Sequence, residues 1–299
     1  QYKMQLMDIM EQRKQDREDY KTLTGSKRRM WETLNEAAAL KEFDTLPKLL
    51  AKQGYASWQG GKWWENSYKN AYFTEGMTKG WDMDLFNDDA FFFEMMGGEG
   101  VELGRQTMAP VFDFISRHKT QPFFVWYGPA LPHTPFDATY KHRKYYDEKP
   151  FSESAKDYYA NITWWDDGVG PLLDHVEKEG LLDNTLFIYI NDNGWEQEPN
   201  VEYKQAGSTW KNDLDYANGG DKGKLGLYDS SFRTPVIFYW RNHVQGSFDT
   251  DSLVSMEDIV PTILDIAGVD PKSVSTDLPG FSLRPTLNGQ DQELSLIHI

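Results

Sequence analysis

The sequence predicts an α/β fold, a mostly parallel sheet sandwiched by helices. Three short apolar runs carry that expectation: "PFFVWYG" (122–128), "TLFIYIN" (185–191) and "TPVIFYW" (234–240). Unbroken runs of this kind mark strands buried on both faces rather than half-exposed ones. Segments with helical spacing alternate with them, and that alternation favours parallel strands with helices on both sides. There is neither an internal repeat nor a low-complexity linker.

Residues 1–44 are highly charged and nearly balanced, and "MQLMDIMEQRKQDREDY" sets Met and Ile near helical spacing, so surface helices are expected there. "DTLPKLLAKQGY" (44–55) reads as a helix with Thr45 as N-cap, Pro47 in the first turn, Leu46, Leu49 and Leu50 on one face, and Gly54 as the stop. "LGRQTMAPVFDFISRH" (103–118) gives another. Between Ser154 and Gly180, residues Tyr158, Ile162, Trp165, Val169, Leu172 and Val176 recur at three- and four-residue steps, with a kink expected at "GVGP". "SMEDIVPTILDIAG" (255–268) closes the series, Ser255 capping it, Met256, Ile259, Val260, Ile263 and Ala267 facing inward, and Gly268 ending it.

Composition narrows the function. Aromatics make up 15% of the 299 residues, including 11 Trp, which argues against a disordered chain. With no cysteine, the chain has no disulfide, no thiolate metal site and no cysteine-derived nucleophile. A net charge of −16 argues against nucleic-acid binding, yet a bound cation and a few lysines can still make one pocket positive. No stretch is long and apolar enough to span a membrane. The chain opens on Gln1 without a charged-then-apolar leader, and its last residues, "LSLIHI" (294–299), look like translated adaptor sequence. A clipped piece of a longer polypeptide is the expectation.

In open α/β sheets ligands bind beyond the carboxyl ends of strands. There the chain places "PALPHTPF", with His133 between two prolines, and "NDNGW", with Asp192 and Asn193. Oxygen donors at a strand end suit a hard cation, although Asn, Asp and Gly are also ordinary turn formers. "KLGLYDSSFRTP" (224–235) carries Lys224 and Arg233, and "GYASWQGGKWWENSY" (54–68) carries Lys62 behind two glycines. A lone histidine or loop lysine is usually structural or merely solvated, so none of these is specific by itself.

Taken in order, "TLPKLLAKQGY…GGKWW", "FFVWYGPALPHTPF", "DNTLFIYINDNGW", "KLGLYDSSFRTPVIFYW" and "SMEDIVPTILDIAG" resemble the middle and C-terminal motifs of formylglycine-dependent sulfatases of the alkaline-phosphatase superfamily. The resemblance covers residues 45–289 and implies an alkaline-phosphatase-like catalytic domain there. Residues 1–44 would be a charged helical segment or insertion and 290–299 a tail. It implies that Asp192 and Asn193 supply part of a one-ion calcium site, and that His133, Lys224 and Lys62 act at the sulfate. Arg233, Trp195 and Trp210 are expected to contact substrate, the tryptophans by stacking on a sugar. A sulfated carbohydrate is the implied substrate, with a periplasmic or secreted location and a formylglycine-generating enzyme as partner of the parent.

Two departures stand out. Trp64 occupies a position where the commoner motif has histidine. The Cys/Ser-x-Pro/Ala-x-Arg segment that yields the formylglycine nucleophile, and the early Asp-Asp pair, are absent, so they are expected upstream of residue 1 and the fragment alone is expected to be inactive. A phosphodiesterase or phosphonate hydrolase of the same superfamily is the sister reading, disfavoured by only six histidines, none in an Asp-His pair near 192. A non-catalytic carbohydrate-binding relative is the alternative of a different class. Asn161-Ile162-Thr163 fits a glycosylation sequon but falls inside an expected helix.

Overall fold

The computed structural model describes residues 7, 11, 18–81, 94, 97–151, 153–194, 224, 227–249, 252–274 and 278–290. In chain order its main elements are α1 (Gly25–Ala39), α2 (Leu46–Ala51), β1 (Ala56–Gly61), β2 (Glu75–Gly76), α3 (Ala109–His118) and β3 (Phe123–Gly128). Then come α4 (Tyr140–Arg143), α5 (Glu153–Lys178), β4 (Phe187–Ile190), α6 (Asp229–Phe232), β5 (Val236–Tyr239) and α7 (Ile259–Ile266). The chain divides into two compact units, one of residues 1–101, 109–128 and 242–299, the other of residues 102–108 and 129–241.

The first unit holds a parallel sheet in the order β2-β1-β3, with Ala56 opposite Phe123 and Gly61 opposite Gly128. β1 is buried along its whole length although its sequence is "ASWQGG". The polar side chain of Gln59 is tolerated at 0% exposure because its amide donates to Gly61 O and Thr78 Oγ1, while its oxygen accepts the Thr78 N–H. Gly60 is required: the Trp58 ring lies so close that a Cβ there would sit 2.1 Å from it. The Trp58 ring in turn stacks on Phe114 of α3, 6.2 Å between centroids.

A second layer of apolar contacts joins α2 to α7 through Leu49, Leu50 and Leu264. Leu264 is fully buried while Met256 is 40% exposed, so the inward face of this helix runs through Leu264 rather than Met256. The start is a capping box, Ser255 accepting from Glu257 N and Asp258 accepting from Ser255 N, and the turn at Gly268 has φ +78°. Thr45 stands at the N-cap of α2, but its hydroxyl donates to Ala71 O at 2.6 Å instead of capping the helix. α3 begins at Ala109, not Leu103.

On the same unit Glu75 accepts from both terminal guanidinium nitrogens of Arg117, at 2.9 and 2.7 Å, and His118 Nε2 lies 2.9 Å away. The Arg117 hydrogen bonds, followed by that of His118, hold the Glu75 carboxyl down at about 2. A depressed acid contributes stability that is complete above its unfolded value near 4.5 and is lost as pH falls through about 2. Glu75→Gln is therefore expected to flatten the fall in melting temperature between those two pH values. An unchanged acid limb in pH-dependent melting would show that the ion pair is idle.

In the second unit α5 runs unbroken through Pro171, with Leu172 and Val176 buried. Trp165 packs on Tyr189 of β4, 4.8 Å between centroids, as a partly buried core residue. β4 and β5 form an antiparallel pair with Ile190 opposite Val236, a direction that apolar runs alone do not encode. β5 alternates half-buried and exposed residues, Ile237 being 54% exposed. Among the described residues no helix is long and apolar enough to cross a membrane.

Candidate functional site

Because β4 and β5 are antiparallel, the residues leaving β4 and those entering β5 meet at one end of the pair. Gly194 N donates to Ser231 O at 2.8 Å and Thr234 Oγ1 to Asn191 O at 3.3 Å, tying the two segments together. Asp192 is exposed in this turn and Asn193 half-buried, its amide donating to Gly194 O at 2.6 Å, so its Oδ1 stays available as an acceptor.

The loop after β3 carries His133, with Leu131–Pro132 and Thr134–Pro135 both cis. His133 Nδ1 lies 2.8 Å from Thr134 O, which can only accept, so that nitrogen carries the proton and Nε2 offers a lone pair. Lys224 Nζ lies 3.3 Å from Nε2, so the ammonium donates to it. Residues 91 apart in sequence thus form one cation–imidazole pair. The ammonium of such a pair can bind an anionic oxygen, and its proton, taken up by the Nε2 lone pair, can be passed on to a departing alkoxide.

Lys62 belongs to the first unit, just past β1, with its N–H donating to Gly128 O at 2.5 Å. Its Nζ lies 5.0 Å over the Trp64 ring, which is 50% exposed, so the tryptophan that departs from the family motif forms a cation–π contact with the motif lysine. Nearby, the buried Trp63 Nε1 and Tyr127 hydroxyl have no hydrogen-bond partner among the described residues, and burial pushes the Tyr127 hydroxyl above its ordinary range. Arg233 is 72% exposed at its side chain and pairs with Asp229 at 3.4 Å. Trp195 and Trp210 lie outside the described residues.

Sequence reasoning gave no sign of a separate cavity of about 240 Å³ in the second unit, lined by Arg105, Thr107, His142, Trp164 and Asp167 among others. There the Arg105 guanidinium lies 5.0 Å over Trp164, and Asp167 accepts from both Lys141 and His142, Lys141 above all holding its carboxyl below the usual range. Asn161, whose sequence context is that of a sequon, is fully buried in α5 of the same unit.

The α/β fold, a parallel three-stranded unit and a unit with an antiparallel pair, is alkaline-phosphatase-like. Residues 20–269 match the Sulfatase family, and the chain belongs to it. It is 31% identical over 185 residues to the uncharacterised sulfatase YdeN of Escherichia coli, covering 60% of this chain and 30% of that protein. It is 27% identical over 272 residues to human N-acetylgalactosamine-6-sulfatase, covering 81% of this chain and 48% of that protein. The solved structure of BT4656 in complex with its substrate D-glucosamine-2-N,6-O-disulfate shares the fold at a TM-score of 0.61 and 18% identity, covering 85% of this chain and 67% of that one. The chain therefore spans a third to a half of the length of these curated relatives.

Proposed function

We propose that the whole protein hydrolyses sulfate esters on a carbohydrate, and that this chain supplies the charge-stabilising part of its active site. The observation that carries the reading is the 3.3 Å contact between Lys224 and His133, in the same unit as the Asp192–Asn193 turn. Two relatives are carbohydrate sulfatases by name, human N-acetylgalactosamine-6-sulfatase and the N-acetylglucosamine-6-O-sulfatase of Bacteroides thetaiotaomicron. The Lys224 ammonium offsets charge that grows on the sulfate oxygens, and His133 Nε2 relays a proton from that ammonium to the leaving oxygen.

Asp192 and Asn193 offer hard oxygen donors of the kind calcium takes, but they are two side chains where the ion takes about six to eight oxygens. Among the described residues no cluster of three or more acidic, His or Cys side chains completes the set. Bound calcium would neutralise substrate charge, and the family's formylglycine would supply the nucleophile, for which this chain has no cysteine. In this reading the whole protein is periplasmic or secreted and is matured by a formylglycine-generating enzyme.

The test joins the chain to its upstream sequence, co-expresses it with that enzyme, and screens sulfated oligosaccharides with phosphodiesters alongside. Sulfate release is expected from the longer protein only, and the 299-residue chain should bind calcium weakly in a titration. Turnover of phosphodiesters alone, or of an aryl sulfate by the short chain, would overturn the reading.

A further inference from the structure

Asn161 lies in the middle of α5 with its side chain fully buried. Asparagine is a poor helix former and costly to bury, so a mid-helix position needs a reason. All of its side-chain hydrogen bonds go to one loop. Oδ1 accepts the Ala138 N–H at 3.1 Å, and Nδ2 donates to Pro135 O at 3.1 Å and, in a longer contact, to His133 O at 3.5 Å. The loop is short of internal donors, because Pro132 and Pro135 have no N–H. These bonds bracket the Thr134 carbonyl, the group that accepts from His133 Nδ1 at 2.8 Å.

We propose that Asn161 is a positioning residue that clamps loop 133–138, so that Thr134 O holds His133 in the Nδ1–H tautomer with Nε2 facing Lys224. A partner that orients the far nitrogen of a working histidine fixes which nitrogen is free to act. The clamp accounts for an amide where an apolar residue would pack. It also excludes Asn161 as a glycan acceptor, since the nitrogen of a fully buried side chain is already engaged. The consequence for turnover rests on the proposed role of His133; the clamp itself does not.

The test reads the His133 ring by ¹⁵N–¹H correlation in the chain as it exists. Wild type is expected to show a single Nδ1–H tautomer. Asn161→Asp keeps the shape and the acceptor for Ala138 but turns an oxygen toward two carbonyls, and a mixture of tautomers should appear. Asn161→Ala, which adds no repulsion, should give the same mixture. Thr163→Ala removes the sequon and the 2.7 Å bond to Tyr146, and should lower the melting temperature while leaving the His133 signals unchanged. A folded Asn161 variant that keeps the single tautomer overturns the clamp. Should both Asn161 variants fail to fold, hydrogen exchange in the wild type decides: an unprotected Ala138 amide overturns it, and a protected one supports it. In the longer enzyme Asn161→Asp should lower kcat about tenfold with KM held, as for partial loss of a positioned acid–base group. An inactive wild type with intact ring signals would sink the sulfatase reading and leave the clamp standing.

Discussion

Lys224→Ala in the longer, matured enzyme is expected to lower sulfate-ester turnover by about 10²-fold or more, the usual effect of removing one preorganised electrostatic donor. The side chain is half-buried and its ammonium donates to His133 Nε2 at 3.3 Å, so its charge is held in place before substrate arrives. A charge that need not reorganise is worth more at a developing anion than a solvated one. Lys224→Arg should restore only part of the rate, since a planar fork places its donors differently from an ammonium. Lys222, two residues away and outside the described residues, is the control and should tolerate alanine. Steady-state kinetics on the three variants settle it. A crippling Lys222→Ala beside a silent Lys224→Ala would shift the motif by two residues and remove Lys224 from the site.

The pairing of Lys224 with His133 could not be read from either residue alone. They are 91 positions apart, and each sits in a segment that resembles an ordinary loop. Only the ordered series of motifs, read as one family, put both at a single site. Asn161 shows the opposite case. Its context supplied a misleading pattern, the sequon, while the helical spacing of its apolar neighbours drew attention to Tyr158, Ile162 and Trp165, which are only half-buried. The sealed positions include Leu172 and Val176, as the spacing expects, but also Ala155, Ala160, Asn161 and Gly168, small or polar residues that periodicity weighs lightly.

Strand legibility followed the same physics. β3 and β4 announce themselves as apolar runs. β1 does not, because a strand buried among other backbones can carry Ser57, Gln59 and two glycines provided each polar atom is paired. The expected parallel sheet is present as β2-β1-β3, whereas the antiparallel sense of β4 and β5 depends on tertiary pairing that a run such as "FIYI" leaves open. That sense is what brings Asp192 and Asn193 alongside the 228–234 segment, so the resemblance could nominate these residues while their geometry stayed hidden.

The largest expected loss of stability comes from Asp258, at the start of α7. It is only 5% exposed, and its two carboxylate oxygens accept from different segments, Ser255 N and Phe281 N, each at 2.8 Å. Its carbonyl accepts the Thr262 hydroxyl at 2.5 Å, and that oxygen in turn accepts Leu283 N–H at 2.8 Å. Segment 280–283 is thereby bound to the helix through backbone donors, with Gly280 at φ +81° so close that a Cβ would meet Glu257 O at 2.2 Å. Asp258→Ala leaves the Ser255 and Phe281 donors without their acceptor, at about 1–3 kcal/mol each for a sheltered group. A total near 3 kcal/mol, read as a fall in melting temperature of about 5–10 °C, is expected. Asp258→Asn should recover little, because its amide nitrogen would face one of the two N–H groups. Glu257, exposed on the same turn, should accept alanine within about 0.5 kcal/mol. Denaturant midpoints that place Asp258→Ala as close to wild type as Glu257→Ala would mean that this junction is held by its apolar contacts alone.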